Sequence, residues 1–175
     1  MKAEELKALQ APLKSRYQED AAAAIVTLSA EGELAEGLAC KVDTGRALVE
    51  AGLHPAAGGS GTQACSGDML LEALVACAGV TLNAVATAIG FDLRGGRVLA
   101  EGDLDFRGTL GVSKEAPVGF TEIRLRFELD TEEPPERIET LTRLTERYCV
   151  ILQTLKQPPR ISLVKKEAEA TASQA

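Results

Sequence analysis

The segment from Ala64 to Ile89 is the feature that most constrains how this chain can fold. After Asp68 it carries a single charge, Glu72. Apolar and small residues recur along it at helical spacing, on two adjoining stripes. The first stripe contains Leu70, Leu74, Cys77, Thr81, Val85 and Ala88, and the second contains Leu71, Val75, Leu82, Ala86 and Ile89. A helix that is apolar nearly all round is buried, either in a protein core or in a membrane.

The segment is predicted to be the central helix of a protein core. Ala, Gly, Thr and Asn are too frequent in it, and its uncharged run is too short, for a membrane span. Ser66 or Asp68 is predicted to cap its start, and Gly90 to end it in the left-handed conformation. Cys77 falls near its middle, on the first buried stripe.

The composition predicts one soluble domain. The chain has 175 residues, of which 45% are hydrophobic and 26% charged, as in ordinary globular proteins. A net charge of −7 and only 3% aromatic residues argue against nucleic acid and anionic membranes as partners. The N-terminus has no apolar signal segment, which favours a cytoplasmic protein. The chain has four cysteines, which in a cytoplasmic protein of this size do not predict a disulfide framework. Their spacings contain no CxxC pair, so a metal site is not predicted either.

The first third of the chain is predicted to form a helix followed by a small antiparallel meander. The helix spans residues 3–19, and Pro12 is expected to bend or interrupt it. The predicted meander consists of a strand at Ala22–Ser29, a turn at Ala30–Gly32, a strand at Glu33–Val42, a turn at Asp43–Gly45 and a strand at Arg46–Ala51. The Gly-rich segment Gly52–Gly61 is predicted to be an irregular loop.

The second half is predicted to contain two long strands and a second helix. Val98–Phe106 and Glu122–Leu129 alternate apolar and charged residues, as antiparallel strands with one solvated face do, and their opposite charges are expected to pair. Residues 109–117 connect them. Pro134-Pro135 opens the helix, whose inner stripe is Ile138, Leu141, Leu144, Thr145 and Tyr148. A last strand is expected at Arg160–Val164, which gives one domain over residues 1–164 and a disordered tail over 165–175.

Four side chains are candidates for chemistry. Cys77 and Cys149 are each either a small hydrophobic core residue or a reactive thiol, and a reactive thiol needs a cation or a hydrogen-bond donor to lower its pKa. Cys65 lies at the entry to the core helix, where packing is the simpler explanation. His54 is the only histidine and lies in a loop, where functional residues concentrate, although a lone loop histidine is commonly just solvated.

The two cysteine contexts together resemble the OsmC/Ohr family of osmotically induced and organic hydroperoxide resistance proteins. The segment GDMLLEALVACAGVTLNAVATAIG is similar to the family's apolar helix, with Cys77 in its cysteine position, and ERYCVILQTL is similar to the segment of the second cysteine, Cys149. The order of elements also fits. The resemblance implies an α+β fold in which antiparallel sheet wraps around long central helices in an intertwined homodimer.

The resemblance also implies an activity. In that family the first cysteine is the peroxidatic residue, which attacks an organic hydroperoxide, and the second resolves the product as a disulfide that a dithiol reduces. On this basis Cys77 and Cys149 form a catalytic redox couple in a response to oxidative stress, with no cofactor or metal. His54 and Cys65 are expected near the mouth of the site, because their loop leads into the Cys77 helix.

The sequence departs from the hydroperoxide resistance branch at the residues that activate the thiolate. That branch has a Glu where this chain has Gly67 followed by Asp68, and an Arg in the first hairpin, where this chain has Ser29–Gly32 without one. The chain is therefore placed in an OsmC-like side branch. Another arginine within about 4–6 Å of Cys77 is expected to serve; Arg16, Arg107 and Arg147 are the candidates.

Two alternative functions remain open at this point. One is a non-enzymatic OsmC-like protein that binds a small apolar ligand at the dimer interface and uses its cysteines for packing. The other is a thiol redox sensor that uses the Cys77–Cys149 couple without a peroxide.

Overall fold

A computed structural model describes residues 3–35, 39–42, 51–159 and 161 of the chain. The helices within these residues are α1 (Ala3–Glu19), α2 (Ser66–Ala88), α3 (Phe106–Thr109), α4 (Pro135–Tyr148) and α5 (Val150–Thr154). The strands are β1 (Ile25–Ala35), β2 (Ala39–Val42), β3 (Ala51–Gly52), β4 (Ala64–Cys65), β5 (Gly95–Asp105) and β6 (Phe120–Asp130). Single 3₁₀ turns occupy Ala21–Ala24 and Pro55–Ala57.

The main sheet has the strand order β2-β1-β5-β6, and every neighbouring pair in it is antiparallel. β1 lies against β5 along most of its length, from Ile25 opposite Asp105 to Glu33 opposite Arg97. β3 and β4 form a separate two-residue parallel pair. The predicted α+β fold, an antiparallel sheet with long helices, is confirmed, whereas the intertwined dimer stays a prediction.

The core lies between α2 and the inner face of the sheet. Leu71, Leu74 and Val75 are fully buried there and pack with Val98 and Ala100 of β5. By length and composition alone α2 could cross a membrane, but half of its most apolar window is buried inside the fold. This is the behaviour of a core helix, because its apolar stripes contact the sheet.

The outer face of the β5–β6 pair carries the cross-strand ion pairs that the alternating pattern predicted. The Arg124 guanidinium lies 2.6 Å from the Asp103 carboxylate and 3.7 Å from that of Glu101. Hydrogen bonds from Arg124 and Thr27 lower the pKa of Asp103 to about 2.

α4 begins where predicted, with Pro135 in its first turn. Leu141 and Thr145 are buried on its inner face, and Ile138 and Leu144 pack beside Leu141. The prediction was wrong for one member of the stripe: Tyr148 is 56% exposed. It is the last residue of α4, and its ring lies under the guanidinium of Arg147 instead of in the core.

The predicted ends of α2 were half right. Gly90 does adopt a left-handed φ of 59° just after the helix. Neither Ser66 nor Asp68 caps its start, because both lie inside the helix and Cys65 occupies the N-cap without a side-chain hydrogen bond. The backbone of Cys65 is held extended by its pairing with Gly52 of β3, so α2 begins at the next residue, Ser66.

The predicted turn at Ala30–Gly32 was wrong. β1 continues through these residues to Ala35, since the long ladder to β5 outweighs the local turn preference of the Ala-Glu-Gly sequence. β2 is accordingly shorter than the predicted Glu33–Val42 strand, with Ala39 opposite Ala35. The predicted strand at Ala22–Ser29 begins instead at Ile25, because the Asp20 carboxylate accepts the N–H of Ala22 and stabilises a 3₁₀ turn.

Three local predictions also needed correction. α1 is not interrupted at Pro12, whereas a bend, the other expected outcome there, stays a prediction. The Gly52–Gly61 segment is not wholly irregular, since it contributes to β3 and contains the Pro55–Ala57 turn. β5 ends before Phe106, because the Asp105 carboxylate accepts the N–H of Arg107 and caps α3.

The predicted turn at Asp43–Gly45 and the first residues of the strand from Arg46 lie outside the described residues. So do the tail over 165–175 and most of the predicted strand over 160–164, in which Ile161 alone is described and is not in a strand. The division into a domain over 1–164 and a tail stays a prediction.

Candidate functional site

Cys77 and Cys149 are brought together from distant parts of the chain. Cys77 is half-buried in the middle of α2. Cys149 is fully buried at the junction of two helices, where it is both the C-cap of α4 and the N-cap of α5. Its extended backbone, with φ −68° and ψ 107°, breaks the helix for one residue. Both thiols are free, and each is among the groups that shift the pKa of the other.

Burial by itself raises the pKa of the Cys77 thiol, but hydrogen bonds outweigh this and the net pKa is lowered. The donors are the backbone N–H groups of Ile151 and Val150, the thiol of Cys149 and the hydroxyl of Thr81. All of them stabilise a negatively charged sulfur. Cys77 is therefore the thiol of the pair that ionises first.

The pKa of Cys149 is shifted the other way. Burial raises it most, and the hydrogen bond and charge of the adjacent Cys77 raise it further, against the opposing N–H groups of Leu152 and Ile151. A thiolate at Cys77 beside a protonated thiol at Cys149 is the arrangement these shifts favour. It gives a nucleophile and a neighbouring thiol in contact with it.

Among the described residues, no arginine is one of the groups that shift the Cys77 pKa, and an arginine near Cys77 stays a prediction. Arg107 forms an ion pair with Asp105, and Arg147 lies 5.4 Å from the centre of the Tyr148 ring. Arg16 acts on the pKa of Tyr17. Backbone N–H groups and a threonine hydroxyl take the role that the sequence analysis assigned to a cation.

Cys65 and His54 lie toward the start of α2. Cys65 packs against the same core cluster as Cys77, but it precedes it by twelve positions, a rise of about 18 Å along a helix. The His54 ring stacks on Phe106 at 5.1 Å, and its Nδ1 accepts the N–H of Ala56. Burial raises the pKa of Asp68, in the first turn of α2, while the nearby His54 opposes that rise. Neither His54 nor Cys65 is among the groups that act on the Cys77 thiol.

Thr81 and the α5 amides are parts of the site that were not predicted from the sequence. Thr81 stands four residues after Cys77, so a helix places the two side chains one turn apart on one face. That spacing was available in the sequence. The backbone donors of Val150 and Ile151 have no side-chain signature. Among the described residues, no group of three His, Cys, Asp or Glu side chains could hold a metal ion.

Comparison with known proteins agrees with this fold. Residues 59–164 match the family model described as OsmC-like protein. The crystal structure of an OsmC-like hydroperoxide resistance protein from Jannaschia sp. CCS1 superposes with a TM-score of 0.60 and 17% sequence identity. The match covers 84% of this chain and 97% of the other. No curated protein matches the sequence. The family model spans more than half of the chain and includes both site cysteines, and the chain belongs to the family of OsmC-like proteins.

Proposed function

We propose that the protein is a thiol-dependent peroxidase that reduces organic hydroperoxides through Cys77 and Cys149. The observation that carries this proposal is that Cys77 and Cys149 share one core cluster and that the pKa of Cys77 is lowered while that of Cys149 is raised. The relative from Jannaschia sp. CCS1 is a hydroperoxide resistance protein, which supports a peroxide-related role for this fold. A cytoplasmic location is part of the proposal, because thiols are kept reduced there.

The Cys77 thiolate attacks the outer oxygen of the O–O bond, which leaves Cys77 as a sulfenic acid and releases the alcohol after the departing oxygen takes a proton. The Cys149 thiol then condenses with the sulfenic acid, forms a disulfide and releases water. A dithiol returns the pair to two thiols by exchange and is itself oxidised to a disulfide. The order follows from the pKa directions, since the thiol with the lowered pKa supplies the nucleophile.

The apolar surroundings of the pair favour an organic substrate. Cys77 and Cys149 belong to a core cluster with Leu74, Val75 and Ile151. When an alkyl or aryl hydroperoxide enters such an environment, its apolar surface is removed from water, which is favourable. Hydrogen peroxide has no apolar surface and gains nothing in this way.

The pH dependence of alkylation tests the proposed activation of Cys77. Because its pKa is lowered, the rate of its reaction with iodoacetamide should reach half-maximum at a lower pH than that of an ordinary cysteine. Thr81→Val removes one donor and should move this midpoint to higher pH. Mass spectrometry of the Cys77 peptide over a pH series gives the measurement.

Thr87→Val is the matched control for this experiment. Thr87 lies on the same helix, but its hydroxyl donates to the carbonyl of Asn83 at 2.8 Å and takes no part in the site. In this variant the alkylation midpoint of Cys77 should equal that of the wild type. A wild-type midpoint at or above that of an ordinary cysteine would remove the basis for calling Cys77 the nucleophile.

A homodimer is the second part of the proposal. One stripe of α2 reaches the surface of the single chain without a charge; it contains Met69, Ala73, Ala76, Val80, Ala84 and Thr87. Met69 and Val80 are 38% and 40% exposed, which is unusual for large apolar side chains on a central helix. Two copies of α2 packed along this stripe would cover it.

Val80→Glu is expected to convert the dimer to a monomer, because it would place two carboxylates in the proposed apolar contact. Val118→Glu is the control: Val118 is 68% exposed and lies in the connection before β6, so this variant should remain dimeric. Sedimentation velocity at micromolar concentration measures both. A wild-type protein that sediments as a folded monomer would refute the dimer.

A further inference from the structure

A cavity of about 260 Å³ lies between β6 and α4, on the side of Cys149. Its apolar walls are Leu125, Phe127 and Leu152, and the Cys149 side chain forms part of its lining. Cys77 does not line it. The cavity therefore lies on the Cys149 side of the cysteine pair, and its apolar walls belong to the same core cluster as both cysteines.

One polar group in this cavity has no partner within the part of the chain that the structure describes. Thr145 lines the cavity and is 1% exposed, and its Oγ1 forms no hydrogen bond there. A buried hydroxyl without a partner is costly, so native structures seldom retain one. Thr142 lines the same cavity, but its hydroxyl already donates to the Ile138 carbonyl at 2.9 Å. Of the two threonines, only Thr145 therefore has a hydroxyl that is available to pair with a ligand.

We propose that this cavity binds a neutral small molecule with an apolar body and one hydroxyl or carbonyl group, which pairs with the Thr145 hydroxyl. The apolar walls would hold the body, and a threonine hydroxyl can donate to or accept from the polar group. An apolar cavity of about 150 Å³ suffices for benzene in a protein core, so a substituted ring fits here. Glu146 also lines the cavity, but its carboxylate is paired with the Lys156 ammonium at 3.4 Å, so a charged ligand gains no counter-charge from it.

The proposed ligand site does not depend on the peroxidase reaction. It follows from the cavity and the unpaired hydroxyl, and it stands whether or not the cysteine pair turns over a peroxide. Its test is accordingly a binding experiment in which no redox step takes place.

Benzyl alcohol and toluene are matched probes, because they share a ring and differ in the hydroxyl. Methyl-resolved NMR of the full chain should show saturable shifts of the Leu125 and Leu152 signals with both probes. Thr145→Val should weaken benzyl alcohol binding about fivefold, the usual contribution of one hydrogen bond, and leave toluene binding unchanged. Thr142→Val should match the wild type for both probes.

Two further measurements keep the test decisive. Thr145→Val should raise the melting temperature of the ligand-free protein by about 2–4 °C, since it removes a buried unpaired hydroxyl, and Thr142→Val should not. Leu125→Phe should fill the cavity and abolish binding of both probes. The proposal is overturned if the wild type shows no saturable shifts, or if Thr145→Val binds benzyl alcohol as the wild type does.

Discussion

Replacing Cys77 with Ser is expected to reduce the turnover of an organic hydroperoxide to the uncatalysed rate. The reaction needs a sulfur nucleophile, and a serine hydroxyl is not ionised at neutral pH. The hydrogen bonds that lower the pKa of Cys77 would then act on a group with no accessible charge to stabilise. Consumption of cumene hydroperoxide in the presence of a dithiol measures the effect.

Cys149→Ser is expected to give a different defect. Cys77 remains a nucleophile in this variant, so before any thiol is added the protein should consume about one equivalent of peroxide. It should then stop at the sulfenic acid, because Cys149 is the one cysteine, among those the structure describes, that acts on the Cys77 thiol. Mass spectrometry distinguishes the added oxygen from a disulfide.

Cys65→Ser is the matched control for both variants. Cys65 is a free, half-buried cysteine that packs against the same core cluster, but it is not among the groups that act on the Cys77 thiol. Its replacement should leave turnover unchanged. Turnover that survives Cys77→Ser would contradict the assigned roles, whatever the behaviour of the other variants.

Leu74→Ala should be among the most destabilising single substitutions in the chain, at a cost of about 2–5 kcal/mol in the free energy of unfolding. Leu74 is fully buried, with an exposed fraction of 0%, and it packs between α2 and the sheet. Truncation removes buried apolar surface and leaves a cavity that the rigid sheet cannot collapse to fill. Urea unfolding followed by circular dichroism gives the value.

The same chemical change at an exposed site measures how much of the cost at Leu74 comes from burial. Leu53 is 46% exposed, so Leu53→Ala should cost less than about 1 kcal/mol. Both variants should be compared at one protein concentration, because the stability of a dimer depends on it. Equal costs for the two variants would mean that α2 is not the centre of the core.

Much of the fold could be predicted because its elements carry strong periodic signals. The uncharged run of α2 and the alternation in β5 and β6 each identify an element and its buried face. The β1 turn was misjudged because Ala30–Gly32 resembles a turn locally, and nothing in β1 itself shows that β5 lies beside it. The prediction of the α2 N-cap was wrong for a similar reason, since the β3–β4 pairing that fixes Cys65 is a contact between separate segments.

The candidate site was predictable in its side chains but not in its electrostatics. Cys77 and Cys149 were paired from their two sequence contexts, and the structure brings both to one core cluster, where each acts on the pKa of the other. The expected arginine was a generic means of stabilising a thiolate. The donors found instead include the N–H groups of Val150 and Ile151, which every non-proline residue possesses. Only the break in the helix at Cys149 directs them at the sulfur.

The most direct test of the proposed redox couple is a stoichiometric oxidation of the reduced wild-type protein. One equivalent of cumene hydroperoxide is added without a reductant, the remaining thiols are alkylated, and the peptides are mapped by mass spectrometry. The account predicts the loss of two of the four thiols to a Cys77–Cys149 disulfide, with Cys40 and Cys65 still alkylated. A protein that keeps all four thiols, or that forms a disulfide through Cys65 or Cys40 instead, would contradict it.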